Sequence, residues 1–125
     1  MLIDTDIFIW YLRGRESAAV FLESSLNLQL SIITYMELVQ GMRNKEELRL
    51  LRQTLGDWQA EILAIDERIS YRAAHYVEQH YLSHNLRLAD ALIAATAVER
   101  GHSLATGNLK HYGMIDELEL VAFRI

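Results

Sequence analysis

Short apolar segments alternate with helical segments along this chain, and that alternation limits the possible folds more than any other feature. Strands are predicted at residues 2–3, 28–33, 61–65, 103–106 and 118–123, and helices at residues 7–12, 16–24, 34–42, 46–55, 67–82 and 88–100. Strands separated by helices pair in parallel, because each helix returns the chain to the same end of the sheet. We therefore predict one domain over residues 1–125, of the α/β class, with three layers and a mostly parallel central sheet flanked by helices.

Composition excludes several classes of site. The chain has no cysteine, which excludes disulfides, thiolate zinc sites and a cysteine nucleophile. No apolar run reaches the roughly 18–20 residues that span a bilayer, and the chain opens without a basic signal region. We therefore expect a soluble, cytoplasmic protein with no membrane partner. The net charge of −5 argues against broad binding to nucleic acid through lysine and arginine alone.

Three acidic residues stand out because of where they lie relative to the predicted elements. Asp4 directly follows the first strand, Glu37 lies in the helix after the second strand, and Asp90 opens the most apolar helix. A carboxylate beside an apolar segment is costly to bury without compensation. Carboxylates converging on a divalent cation would provide that compensation, and oxygen ligands favour Mg²⁺ or Mn²⁺. The carboxyl ends of parallel strands are also where such sheets bind ligands.

Each of these residues also has a purely local interpretation. Thr34 and Glu37 match a capping box, in which the two side chains satisfy backbone N–H groups at a helix start. Asp90 could complement a helix dipole, and Asp4 could be a turn residue. Asp6 is a plausible N-cap for residues 7–12, and Asp66 is interpreted only as an N-cap.

Four ordered blocks of sequence carry a resemblance that covers nearly the whole chain. They are residues 1–6 (MLIDTD), 31–41 (SIITYMELVQG), 88–97 (LADALIAATA) and 104–112 (LATGNLKHY). In these blocks the sequence resembles the PIN-domain family and, within it, the VapC-type toxins of toxin–antitoxin pairs. The resemblance implies a metal-dependent endoribonuclease that cleaves RNA phosphodiesters with metal-activated water, Mg²⁺ or Mn²⁺ being the cofactor. It further implies a homodimer and a cognate antitoxin that blocks the site.

The resemblance also assigns residues to the site. Asp4, Glu37 and Asp90 fall on the family's acidic positions and are the predicted catalytic residues and metal ligands. The fourth position, often aspartate in the family, falls at Asn108, which carries no charge and puts a second tightly held metal in doubt. Asp116 is the fallback acidic candidate. Thr106 and Asn108 are predicted to contact water or phosphate.

The cations and aromatic residues near these blocks have two interpretations each. Arg87, three residues before Asp90, and Lys110 are the predicted RNA contacts; the remaining candidates for phosphate contact are Arg13, Arg15, Arg43 and Lys45. Any one of them could instead be a solvated surface charge. Trp10 and its aromatic neighbours early in the chain are interpreted as packing residues, with base stacking as the alternative.

Two other functions compete with the nuclease hypothesis. Asp4-Thr5-Asp6-Ile7 after a strand also fits the start of a haloacid-dehalogenase-like phosphatase, although Phe8 stands where that motif has threonine or valine. The second alternative is a non-catalytic module of the PIN-like fold that binds RNA or a partner protein, which the uncharged Asn108 favours. Three intact acidic positions argue against a pure binder.

Overall fold

The computed structural model describes residues 1–125 and contains five strands and seven helices. In chain order they are β1 (Leu2–Ile3), α1 (Thr5–Leu12), α2 (Glu16–Glu23), β2 (Gln29–Ser31), α3 (Ile32–Gln40), α4 (Lys45–Asp57), β3 (Glu61–Leu63), α5 (Glu67–His84), α6 (Leu88–Glu99), β4 (Leu104–Thr106), α7 (Leu109–Tyr112) and β5 (Leu120–Ala122). None of the helices is both long enough and apolar enough to cross a membrane.

The five strands form one sheet in the order β3-β2-β1-β4-β5, and every neighbouring pair is parallel. The chain builds outward from β1 first to one side, through β2 and β3, and then to the other, through β4 and β5. The strand order therefore reverses between β1 and β4. In open α/β sheets a crevice forms at the carboxyl ends of the strands at such a reversal, and ligands bind there.

Helices cover both faces of the sheet, so the predicted three-layer architecture is confirmed. Leu2 and Leu104 belong to a core shared with α5, α6 and α7, whereas Ile3 and Ala105 belong to a core shared with α1, α2, α3 and α4. Successive residues of one strand thus enter opposite cores, as the two-residue period of a strand requires. All four of these side chains are completely buried.

The capping-box interpretation of Thr34 and Glu37 is wrong. Helix α3 begins at Ile32, and Ser31 is its N-cap, with the Ser31 hydroxyl accepting a hydrogen bond from the Ile33 N–H at 3.1 Å. This cap ends β2 two residues earlier than the apolar run suggests. It also places Glu37 in the second turn of the helix, where no backbone N–H needs its carboxylate.

Of the two other predicted N-caps, Asp6 is wrong and Asp66 is confirmed. The N-cap of α1 is Asp4 and not Asp6, because the Asp4 carboxylate accepts the Thr5 N–H at 2.8 Å. The cap at Asp66 is confirmed, since its carboxylate accepts the Ile69 N–H at 2.9 Å. The short helix α7 was not predicted.

Candidate active site

Asp4 lies at the crevice between β1 and β4 and is only 4% exposed. One carboxylate oxygen, Oδ1, accepts the Thr5 N–H at 2.8 Å, and the other, Oδ2, accepts the Thr106 hydroxyl at 2.7 Å. Thr106 is the last residue of β4 and Thr5 is the first residue of α1, so a strand and a helix start hold this carboxylate from two sides. Its orientation is therefore fixed by regular elements of the fold.

Tyr112 joins Asp4 to Asp90. Its hydroxyl oxygen lies 3.1 Å from Oδ1 of Asp4 and 3.2 Å from Oδ1 of Asp90, and its side chain is completely buried. The single phenolic proton can be donated to only one carboxylate at a time. The two predicted acidic residues, 86 positions apart in sequence, therefore face each other across one oxygen atom.

Glu37 is connected to this pair through Thr5. The Thr5 hydroxyl donates to Oε1 of Glu37 at 2.8 Å and lies 2.9 Å from the Thr34 hydroxyl. Because the Thr5 N–H is bonded to Asp4, Thr5 connects Glu37 to Asp4 in the structure. Glu37 itself is exposed, so its carboxylate faces solvent at the rim of the site.

Asp6 is a fourth carboxylate at the same edge. Its Oδ2 accepts the Gly107 N–H at 2.9 Å, whereas its Oδ1 is buried and has no hydrogen-bond partner. A β-carbon on Gly107 would lie 2.7 Å from Oδ2, closer than two such atoms can approach. Glycine at 107 is therefore what permits this carboxylate to reach the β4 loop.

Burial and neighbouring negative charges disfavour the ionised forms of the acidic groups of the site when no cation is bound. Burial is the largest cause that raises the pKa of Asp4 to about 6; the charges of Asp6 and Asp90 act in the same direction, and the hydrogen bonds from Thr106 and Thr5 act against it. Burial also raises the pKa of Asp6, and burial together with both carboxylates raises the pKa of Tyr112. A positive charge bound here would relieve all of these effects.

The two predicted phosphate-contact residues differ in accessibility. The Thr106 side chain is completely buried, and its hydroxyl donates to Asp4 while accepting the Asn108 N–H at 2.9 Å. Asn108 is exposed at the start of α7, and its side chain makes no capping hydrogen bond. Only Asn108 presents a free polar side chain to solvent.

The predicted RNA contacts lie at the surface. Arg87 is the exposed N-cap residue of α6, three positions before Asp90, and Lys110 is exposed on α7. Asp116 is exposed in the loop after α7 and makes no hydrogen bond with the site. His111 comes closer than any of these, because its Nδ1 lies 3.4 Å from Oδ2 of Asp90.

The carboxylates suit a hard divalent cation, although they do not form a complete protein cage. No group of three or more acidic or histidine side chains converges on one point. Mg²⁺, however, is usually held by one or two carboxylates, with water and substrate phosphate completing its shell. Asp4 and Asp90 match that requirement, and the unpartnered Oδ1 of Asp6 adds an acceptor beside them.

Sequence reasoning missed Tyr112, Thr5 and Gly107 as parts of the site and read Asp6 only as a helix cap. Asp6 carried a visible signal, since it repeats the acidic residue two positions after Asp4. Tyr112 carried none of its own, because a tyrosine that bridges carboxylates cannot be distinguished by type from a core tyrosine.

The PIN-domain family model matches residues 1–114 of the chain. The chain belongs to the PIN-domain family. This PIN domain is 34% identical over 123 residues to Ribonuclease VapC10 of Mycobacterium tuberculosis, covering 95% of this chain and 90% of the relative. It is 31% identical over 124 residues to Ribonuclease VapC19 of the same organism, covering 94% of this chain and 96% of the relative.

Solved structures share the fold of this PIN domain over almost its whole length. A toxin–antitoxin complex from Klebsiella pneumoniae superimposes with a TM-score of 0.82 and 29% identity, covering 98% of this chain and 97% of that chain. FitAcB from Neisseria gonorrhoeae gives a TM-score of 0.73 and 26% identity, covering 95% and 94%. The membership replaces the haloacid-dehalogenase hypothesis, since the Asp4-Thr5-Asp6 motif lies in a PIN fold.

Proposed function

We propose that this PIN domain is a metal-dependent endoribonuclease and acts as the toxin of a toxin–antitoxin pair. The observation that carries the proposal is the meeting of Asp4 and Asp90 on one hydroxyl oxygen at the reversal of the sheet. The relatives named ribonucleases support RNA as the substrate. The similar structure solved as a toxin–antitoxin complex supports the biological role.

Each residue of the site has a stated part in this function. Asp4 and Asp90 would hold Mg²⁺ or Mn²⁺, with Thr106 and Tyr112 keeping their carboxylates in place. When bound, such an ion lowers the pKa of its water and neutralises charge on the scissile phosphate. Glu37, exposed at the rim, is positioned to accept a proton from water or to complete the ligand set.

The outer contacts to substrate complete the proposal. Asn108 presents its amide toward solvent beside the site and can hydrogen-bond water or a phosphate oxygen. Arg87 and Lys110 are exposed cations that can position the RNA backbone, a role that carries no sequence information.

A cleavage assay tests the proposal. Purified protein free of antitoxin is incubated with tRNA and ribosomal RNA fragments in Mg²⁺, Mn²⁺ or EDTA. We expect cleavage with either ion, none in EDTA, and a loss of at least about 100-fold in Asp4→Asn and Asp90→Asn. Asp116→Asn is the matched control, since Asp116 is an exposed aspartate that makes no hydrogen bond with the site, and the variant should cleave normally.

Retained cleavage in Asp4→Asn would contradict the site assignment. Tight Mn²⁺ binding with no cleavage of any RNA would favour the non-catalytic module. Loss of activity in Asp116→Asn would instead identify that residue as the fourth acidic position.

An apolar cleft supports the antitoxin partner. It has a volume of about 590 Å³ and is lined by α1, α3 and α4, with Leu38, Leu51 and Trp58 in its wall. Glu37 lies at its edge, so a segment bound in the cleft would reach the acidic centre. We assign the cleft to an antitoxin segment with an apolar face and an arginine that meets the carboxylates. A synthetic antitoxin segment should inhibit cleavage, and Leu50→Lys should abolish that inhibition but not the cleavage, because Leu50 lines the cleft and is 48% exposed.

A further inference from the structure

Trp10 holds two arginines at the margin of the site. The guanidinium carbon of Arg13 lies 5.5 Å from the centroid of the Trp10 ring, and that of Arg15 lies 5.3 Å from it. Both distances are within the range of cation–π attraction, in which the electron-rich face of the indole stabilises a positive charge. One indole ring thus lies close to two positively charged guanidinium groups.

The backbone between these residues is ordered rather than loose. The Arg13 N–H donates to the Ile9 carbonyl and the Arg15 N–H to the Trp10 carbonyl, each at 3.0 Å. Between them Gly14 adopts a φ of 84°, a conformation that residues with a β-carbon rarely take. This turn brings the side chains of Arg13 and Arg15 back over the same ring.

Neither arginine has an ion-pair partner. Arg43, Arg49 and Arg72 are each bonded to a glutamate, whereas Arg13 and Arg15 are exposed and contact no carboxylate. Other cations of the chain are also unpaired, but Arg13 and Arg15 are the two whose guanidinium groups share one aromatic ring. Both guanidinium groups therefore keep their hydrogen-bond donors available for an anionic ligand.

The position of the pair indicates which ligand. Trp10 and Arg13 line a surface depression whose other wall contains Asp6, Gly107 and Asn108. Asp6 is bonded to the Gly107 N–H, one residue after Thr106, which holds Asp4, so the depression lies beside the acidic centre. A strand of RNA with one phosphate at that centre has further phosphates within reach on either side.

We propose that Arg13 and Arg15, fixed over Trp10, bind RNA backbone phosphates beside the acidic centre. This inference rests on the proposed function, because it places an additional contact along the same substrate. Bidentate guanidinium groups suit phosphate oxygens, and the indole keeps both groups in place before RNA arrives. The Arg13–Trp10–Arg15 ledge would add positive charge to that of Arg87 and Lys110 around the acidic centre.

Salt-dependent RNA binding tests the ledge. The Asp4→Asn protein prevents cleavage, and a fluorescein-labelled single-stranded RNA of mixed sequence serves as the probe in an anisotropy titration at several salt concentrations. Each lost phosphate contact on a single strand lowers the slope of log K against log salt by about 0.7. We expect Arg13→Ala with Arg15→Ala to lower the slope by about 1.4, and the two lysine replacements to restore most of it.

Arg100→Ala is the matched control. Arg100 also lacks an ion-pair partner, but it follows the end of α6, ten residues after Asp90, so it lies about 15 Å from Asp90 along the helix axis. A slope unchanged in the double alanine variant, or lowered equally by Arg100→Ala, would overturn the ledge. Loss of antitoxin binding with an unchanged RNA slope would overturn it in favour of a protein contact at Arg13.

The experiments distinguish an error in the proposed phosphate contact from an error in the proposed nuclease function. If the wild-type protein cleaves RNA and the double variant has the same KM, the ledge is wrong and the nuclease proposal stands. If the wild-type protein cleaves nothing but the double variant still loses the slope, the phosphate contact is supported and the nuclease proposal is contradicted.

Discussion

Tyr112 is the residue on which the geometry of the acidic pair depends most directly. Replacing it with phenylalanine keeps the buried ring but removes the donor between Asp4 and Asp90. A buried carboxylate that loses its donor costs about 1–3 kcal/mol. We expect Tyr112→Phe to lower the free energy of unfolding by that amount in EDTA, and by clearly less in Mn²⁺, because a cation then takes over between the carboxylates.

Urea denaturation with and without Mn²⁺ measures this difference. Tyr71→Phe is the matched control, since Tyr71 is 71% exposed on α5 and its hydroxyl makes no hydrogen bond. An equal deficit for Tyr112→Phe in both conditions would show that the hydroxyl is structural only.

Asp4 gives the fold a pH dependence whose sign follows from its burial. Its pKa is about 6 in the folded protein and 3.8 ordinarily, so the folded state binds more protons than the unfolded state between these values. The free energy of unfolding in EDTA should therefore fall as pH rises from about 4 to 6 and stay low above that. The difference between the pKa of Asp4 in the folded protein and its ordinary value corresponds to about 3 kcal/mol.

The Asp4→Asn variant should remove that dependence. Asparagine keeps the shape and an acceptor for the Thr5 N–H, but it carries no charge at any pH. We expect the inactive variant to be more stable than the wild type at pH 7 without metal, by up to about 3 kcal/mol, and to match it near pH 4. A variant less stable than the wild type at pH 7 would contradict the electrostatic argument.

At the scale of elements, the cap at Asp66 contributes to stability without touching the site. Asp66 bonds the Ile69 N–H at the start of α5, which packs along α6. Asp66→Ala should lower the free energy of unfolding by about 1 kcal/mol, whereas Asp66→Asn, an equally good cap, should change it little. Thermal unfolding with a parallel cleavage assay checks both, and altered cleavage by the folded Asp66→Ala protein would show that this cap influences the site.

The elements were more predictable from the sequence than their ends. Every predicted helix and strand is present, because apolar periodicity reports which segments are buried. The start of α3 was misplaced because Ser31 and Thr34 are both good caps, and only the fold shows that the Thr34 hydroxyl bonds to Thr5 instead. Local patterns cannot choose between partners that are distant in sequence.

At the scale of the whole molecule, the site depended on information that no local pattern holds. The alternation of strands and helices predicts parallel pairing, but not the strand order that places β4 beside β1. Asp4 and Thr106 are 102 residues apart, and their contact is a consequence of that order. The resemblance to PIN domains supplied the three acidic positions, whereas Tyr112 and Thr5 became visible as parts of the site only in three dimensions.

An exposed apolar face formed by α3 and α6 supports self-association of the whole molecule. Met36 on α3 is 48% exposed and Leu88 on α6 is 71% exposed, and both line a depression of about 570 Å³ whose margin includes Glu37. Such a face on two copies can pack on itself about a two-fold axis. We propose that this face forms a homodimer.

Light scattering of the purified protein tests the dimer. We expect a dimer for the wild type and a monomer for Met36→Lys with Leu88→Lys, because lysine at both positions places like charges across the two-fold axis. Leu26→Lys is the control, since Leu26 is 90% exposed in the loop before β2, away from this face, and should leave the dimer intact. A wild-type monomer, or a dimer that survives both lysines, would contradict the assignment, and cleavage by the monomeric variant would show that each copy holds a complete site.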